Sequence, residues 1–334
     1  MKVQNSPDIL KLNWERGNPS VILSQKEVER VVMDYVPLGV SSFELFSKGC
    51  ANTNYKVVLS DGTALVLRVY TRDPGCLTRE YKIHELIQEK VPVPRFLHMN
   101  NDKELIPHPF AIMEFVEGFL FRDLILEGDQ AAIESCGYHA GNILTRIASF
   151  QFEESGFFED DLTVNPFDKN QNFFNFINLT LSNQAIIDAL GENLIKRLRT
   201  TIEKHQFLLK EISHHKNLTH ADYDSANILV KRENKEWRVS AILDWEFALS
   251  STYYMDMGLM LRYAYKLPKY FQASFIQGVK DSNPSLLNHD WEACAKLIDM
   301  VSLLSLCADN AQHKRPMMFE DVKGLLIHTC QFLS

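Results

Sequence analysis

The sequence predicts an α+β fold in two lobes, a small antiparallel sheet leading into a larger, mainly helical part. Three observations predict it. Apolar residues alternate in short runs at 43–47, 55–59, 64–70 and 110–115, with a single helical stretch at 77–89 set among them. Past Gly118 the period becomes helical, broken only by short strands at 227–231 and 237–243. The 334 residues contain neither an internal repeat nor a Gly/Ser linker, so one bilobal unit divided as 1–115 and 116–334 is expected.

The elements follow in order. Ser24 and Glu27 form a capping box ahead of Val28, Val31, Val32, Tyr35 and Val36 at helical spacing, which predicts a first helix. The strands at 55–59 and 64–70 are joined by the turn Ser60-Asp61-Gly62-Thr63. Pro92 and Pro94 stop the helix at 77–89 and stiffen the entry to a further extended segment, and Pro109 and Gly118 bracket the strand at 110–115. Helices are expected at 129–150, 173–181 and 192–212. The strands at 227–231 and 237–243 flank the turn Arg232-Glu233-Asn234-Lys235, and helices resume from 255 to the end.

Composition narrows the function classes. With 35 basic against 43 acidic side chains, the net charge of −8 argues against a nucleic-acid binder, which needs a basic face to displace counterions. It permits a cationic small-molecule partner. Six cysteines with no CxxC pair suggest reduced, buried thiols in a cytoplasmic protein rather than a zinc site or disulfide scaffold. Residues 1–14 carry Lys2, Asp8 and Lys11 and do not read as a signal peptide, and the apolar run at 298–308 contains Asp299 and is too short to span a membrane. No membrane association is expected.

The chemistry concentrates at His220-Ala221-Asp222-Tyr223-Asp224-Ser225-Ala226-Asn227, followed by a strand pair and Asp244-Trp245-Glu246. Phosphoryl transfer needs a carboxylate to orient the acceptor hydroxyl, hard oxygen ligands for magnesium, and a cation on the phosphates. Asp222 suits the first role and Asn227 with Asp244 the second. His220 is expected to orient the loop by hydrogen bonding. Asp224 is either a solvated loop acid or faces the acceptor, and Glu246 is either a metal-side carboxylate or structural. Tyr223 and Trp245 either wall a cationic substrate or pack in the core. Asp256 is expected to buttress the catalytic loop.

These motifs resemble the aminoglycoside phosphotransferase and choline kinase family of small-molecule kinases with a protein-kinase-like fold, over roughly residues 43–310. The likeness rests on His220/Asp222/Asn227, the block Ile242-Leu243-Asp244-Trp245-Glu246, Asp256-Met257-Gly258, Arg79-Glu80 with Val91-Pro92-Val93-Pro94, and Ile112-Met113-Glu114-Phe115. The stretch from 244 to 263 is similar to that of an uncharacterised bacterial phosphotransferase subgroup. The resemblance implies a nucleotide lobe at 1–115 and a catalytic and acceptor lobe at 116–334. Arg68 then stands where the protein-kinase template has lysine, with Glu80 as its partner and Glu85 in reserve. Residues 47–54 become the phosphate loop, with Gly49, Asn52, Thr53 and Asn54 facing the phosphates, although no GxGxxG is present. The backbone of Glu114 and Val116 would hold the purine, a contact that does not separate ATP from GTP. The implied activity is an ATP- and magnesium-dependent transfer to a hydroxyl of an aminoglycoside-, choline- or sugar-like acceptor. The alternative is a nucleotide-binding pseudokinase serving as scaffold or regulator. Neither the acceptor nor the oligomeric state is legible in the residues.

Overall fold

The structure is a computed structural model, and residues 9–15, 17, 19–46, 52–71, 73, 75–168, 173–313 and 315–334 are described. The chain runs α1 (Gln25–Tyr35), β1 (Val40–Leu45), β2 (Thr53–Leu59), β3 (Ala64–Val69), α2 (Cys76–Ile87), β4 (Phe96–Asn100) and β5 (Phe110–Glu114). The five strands form one antiparallel sheet in the order β1-β2-β3-β5-β4. The expected capping box opens α1: the Ser24 amide donates to Glu27 Oε2 at 2.8 Å, and Ser24 Oγ accepts from the Glu27 amide. Val28, Val31 and Val32 of α1 are buried against Tyr55, Val57, Leu65, Leu67 and Val69 on one sheet face. A strand alternates its side chains, so Asn54, Val66 and Arg68 point to the other face, where α2 and the second lobe lie.

The remaining chain forms β6 (Phe119–Leu120), α3 (Phe121–Glu127), α4 (Gln130–Ala148), β7 (Gly156–Phe158), β8 (Val164–Pro166), α5 (Phe173–Leu181), α6 (Gln184–Leu190) and α7 (Glu192–Ile212). It continues through β9 (Asn217–Thr219), β10 (Ile228–Glu233), β11 (Glu236–Ile242), β12 (Leu249–Ser251), α8 (Tyr254–Met260), α9 (Lys269–Ser282), α10 (Trp291–His313) and α11 (Pro316–Phe332). The fold is α+β and bilobal, a five-stranded sheet lobe followed by a mainly helical one. Two small sheets, β11-β10-β6 and β8-β7-β12-β9, frame the segments that carry the chemistry.

Helices α4 and α9 meet through glycines. A Cβ on Gly141 would stand 2.0 Å from the Phe275 carbonyl, and one on Gly278 would stand 2.0 Å from the Tyr138 carbonyl. Only hydrogen at both positions permits this approach, and α4 accepts the Tyr223 hydroxyl at its Ala140 carbonyl.

Residues 9–14 lie against the helical lobe, not the sheet they precede in sequence. Ile9 and Leu10 are buried in the helical core, and the Trp14 indole N–H donates to Asp321 at 2.9 Å. Among the described residues, no helix is long and apolar enough to cross a membrane. Five cysteines (Cys76, Cys136, Cys294, Cys307 and Cys330) are free and buried, whereas Cys50 lies outside the described residues.

Candidate active site

The catalytic loop leaves β9 at Thr219 and is held from below by a buried carboxylate. Asp256 at the start of α8 accepts from the His220 amide at 2.8 Å and from the Ala221 amide at 2.9 Å. Ala221 has φ 62°, a left-handed conformation that these two bonds over-determine. Burial pushes the Asp256 carboxyl up to about 6, although His220 and the two amides pull the other way.

His220 is fully buried. Its Nδ1 accepts from the Asp222 amide at 3.1 Å, so Nε2 carries the proton and donates to the Leu243 carbonyl at 2.9 Å. This is the orienting role the sequence suggested, joining the loop that holds Asp222 to the turn that holds Asp244. Asp222 faces the cavity, with Oδ2 accepting from Asn227 Nδ2 at 2.7 Å. The same Nδ2 donates to the Asp222 carbonyl at 2.9 Å.

Asp244 occupies a left-handed turn, φ 67°, at the end of β11. Across the cleft, Arg68 Nη2 reaches its carboxylate at 2.5 Å while Arg68 Nε holds Glu80 Oε2 at 3.1 Å. Tyr70 donates to that Glu80 oxygen at 2.7 Å, and the Trp245 amide donates to the other at 3.3 Å. Glu80 is 1% exposed, so an arginine in the lysine position ties β3, α2 and the Asp244 turn into one buried network. Glu85, the reserve partner, instead bonds Tyr81 and Lys82 at the surface.

The expected phosphate loop divides by side-chain parity. Asn54 points into the cavity, its Oδ1 buried and without a hydrogen-bond partner. Thr53 does not: it sits on the α1 face, and its Oγ1 accepts from the Val21 amide at 3.0 Å, which corrects its assignment to the phosphates. Asn52 is turned to Glu246, donating at 2.8 Å, and Glu246 lines the cavity. Gly49 lies outside the described residues. Glu114 and Val116 also line the cavity, and Arg95 Nε holds the Glu114 carboxylate at 3.0 Å.

Of the two alternatives for Tyr223 and Trp245, substrate wall or packing, the contacts are those of packing. Tyr223 is fully buried and donates to the Ala140 carbonyl at 2.8 Å, and Trp245 is fully buried with its ring centroid 4.5 Å from that of His220. Neither ring lines the cavity.

Two residues escaped the sequence reading. His84 lies one helical turn after Glu80, and that spacing could have found it. Its Nδ1 bonds the Pro94 carbonyl at 3.0 Å, its Nε2 is buried without a partner, and burial pushes its pKa down to about 3. Lys11 carries no motif. Its Nζ lies 2.7 Å from Asp222 Oδ1 and also contacts Asp224. Burial opposes its charge, but the two carboxylates raise its pKa above the ordinary lysine value. Asp222 is correspondingly held below the usual carboxylate range: burial raises it, and Lys11, His220 and Asn227 together more than offset that.

Lys11, Asn54, Arg68, His84, Asp222, Asn227, Asp244 and Glu246 border one cavity of about 1510 Å³. It continues past Asp222 toward α5, α8 and α10, where Phe173, Phe176, Met255, Leu259 and Val301 line it. The donor set beside Asp222 suits a hard divalent cation. Asn227 spends its amide nitrogen on Asp222, which leaves the carbonyl oxygen, and Asp244 supplies a carboxylate. Among the described residues there is no cluster of three or more His, Cys, Asp or Glu that could hold a metal ion.

The bilobal fold is that of protein-kinase-like phosphotransferases. The chain belongs to the phosphotransferase enzyme family (APH), whose family model matches residues 42–295. Solved structures of similar fold include aminoglycoside phosphotransferase APH(4)-Ia with AMP-PNP and hygromycin B, at TM-score 0.67 and 16% identity over 91% of this chain and 98% of that one. The GDP complex of a mutant aminoglycoside 2'-phosphotransferase-IIIa aligns at TM-score 0.71 and 14% identity, covering 91% and 96%. Among curated proteins, mouse acyl-CoA dehydrogenase family member 10 is 27% identical over 255 residues, 72% of this chain and 22% of that protein. A Debaryomyces hansenii protein, altered inheritance of mitochondria protein 9, is 28% identical over 167 residues, 43% of this chain and 26% of that protein. The chain thus aligns with about a quarter of the length of the curated relatives it matches.

Proposed function

We propose that this chain transfers the γ-phosphoryl group of ATP, or of GTP, to a hydroxyl of a small molecule, with Asp222 as the base. One observation carries the reading: Asp222 and Asp244 face one cavity, Asp222 fixed by Asn227 at 2.7 Å and Asp244 by Arg68 at 2.5 Å. Nucleotide complexes of similar folds with AMP-PNP and GDP support a nucleotide between the lobes, divided at 115/116, with its purine against Glu114 and Val116.

In this account Asp222 orients the acceptor hydroxyl and takes its proton as the oxygen attacks phosphorus. Arg68 neutralises phosphate charge from one side, and the cavity-facing side chain of Asn54 meets the phosphates from the sheet. Asn227 and Asp244 would hold Mg2+, which when bound neutralises charge on the phosphate oxygens. His220 and Asp256 keep the loop in register, so most of the rate enhancement is positioning and electrostatics. The free, buried thiols support a reducing, cytoplasmic setting.

The test is a screen of hydroxyl acceptors for phosphate-ester formation from radiolabelled ATP, with Asp222→Asn as the blank. A labelled ester formed by the wild type and absent from the blank is the expected result. An ester formed equally by both would refute the assignment.

A further inference from the structure

We propose that Lys11 sets the acceptor class of this site, a built-in cation that takes the place of an acceptor's ammonium group, so that the acceptor is a non-cationic alcohol with an apolar body. The inference rests on the phosphotransfer reading and adds the chemistry of its second substrate. Two neighbouring carboxylates here could attract a cation, the base Asp222 and Asp224 two residues on, and Lys11 Nζ contacts both. Its side chain is only 14% exposed. Asp224 also accepts from the Ala226 amide at 2.7 Å, so its oxygens are engaged on both sides.

Lys11 is held by its neighbours and not by the ion pair alone. Leu10 and Lys11 have successive left-handed conformations, φ 55° and 58°, and Ile9 and Leu10 are buried in the helical core. Arg122 Nη1 donates to the Leu10 carbonyl at 3.3 Å. Glu15 accepts from the Met317 amide at 2.9 Å and the Met318 amide at 3.1 Å, which anchors the segment to the start of α11. A segment integrated in this way is part of the wall, unlike a tail that a ligand sweeps aside.

The rest of the charge around the acceptor end is also compensated. Asp309 pairs with Arg315, and Arg262 is forked onto Asp299 at 2.6 and 3.0 Å. Beside Ser302 and Ser305 the wall is largely apolar: Phe173 and Phe176 of α5, Met255 and Leu259 of α8, and Phe157, a residue 62% exposed. A polycation entering here would lose hydration against this apolar wall, whereas a neutral alcohol can bury its hydrocarbon and present its hydroxyl to Asp222.

Calorimetry on the full chain saturated with Mg2+ and AMP-PNP tests this. The probes are choline, kanamycin and 4-phenylbutan-1-ol, titrated into wild type, Lys11→Met and Lys11→Gln. The expected result is that wild type binds the neutral alcohol at least about tenfold more tightly than choline, and that either variant gains at least about tenfold for both cations. Wild type binding the cations as tightly as the variants, or variants that fold and bind nucleotide yet gain nothing, would overturn the proposal. A second measurement needs no variant: the reactivity of Lys11 toward acetic anhydride stays low when kanamycin is added. Exposure of Lys11 by kanamycin would mean that the cation displaces it, and would also overturn the proposal. Failure of wild type to bind AMP-PNP marks instead a failure of the underlying phosphotransfer reading, and this inference falls with it.

Discussion

Arg68 and Asp244, 176 positions apart in the chain, meet at 2.5 Å across the cleft. The same guanidinium holds Glu80, so a single side chain links the sheet, α2 and the turn that follows β11. Its charge is stabilised on balance: burial opposes it, and Glu80 and Asp244 raise its pKa well above the ordinary arginine value.

Removing that cation leaves a carboxylate stranded. Arg68→Ala abandons Glu80 in a site where it is 1% exposed, which is expected to cost about 3–5 kcal/mol in urea unfolding. Glu80→Gln in the Arg68→Ala background should recover part of that loss. Additive costs in the double variant would show that the pair is not coupled.

Acid should destabilise the protein through His84. Its folded pKa, about 3, lies below the unfolded value of 6.5. The stability it contributes is therefore present above pH 6.5 and lost as pH falls toward 3. At pH 5 the loss is about 2 kcal/mol. His84→Gln keeps a donor for the Pro94 carbonyl without titrating, so its unfolding midpoint should fall less than the wild type's between pH 7 and pH 5. Parallel losses would remove His84 as the cause.

Tyr223 separates packing from substrate recognition. Tyr223→Phe loses one buried hydrogen bond to the Ala140 carbonyl and should cost about 1 kcal/mol of stability. Steady-state kinetics should keep kcat and the acceptor KM of the wild type. A raised acceptor KM at unchanged stability would return Tyr223 to the substrate side.

The glycine contact of α4 with α9 should tolerate no methyl group. Gly278→Ala forces a Cβ to within 2.0 Å of the Tyr138 carbonyl and should destabilise by about 3 kcal/mol, read as a lowered Tm. An unchanged Tm would mean that the helices separate at little cost.

Residues whose roles follow from local spacing were legible in the sequence. Asp222 and Asn227 lie five apart on one loop, and Asp244 follows the strand pair that brings it back, so topology needed no further information. The capping box of α1 was legible for the same reason, whereas the Arg68–Glu80 pairing followed from the family resemblance. Parity of β2 decided Thr53 against the cleft, because Thr53 and Tyr55 share the α1 face while Asn54 does not. Tyr223 and Trp245 were ambiguous, since an aromatic next to a catalytic loop suits a wall or a core equally. Strands β7, β8, β9 and β12 have three residues each, too few to display a period. Lys11 was illegible because its partners lie more than 200 residues away and nothing local marks the segment.

The central claim is that Asp222 is the base. The most direct test is the turnover of Asp222→Asn, measured as ADP formation with Mg2+, ATP and the acceptor found in the screen. Affinity for Mg2+ and AMP-PNP is measured alongside. The account predicts nucleotide affinity near that of the wild type and turnover lower by roughly 10²–10⁴. Turnover close to the wild type's, with nucleotide still bound, would contradict it.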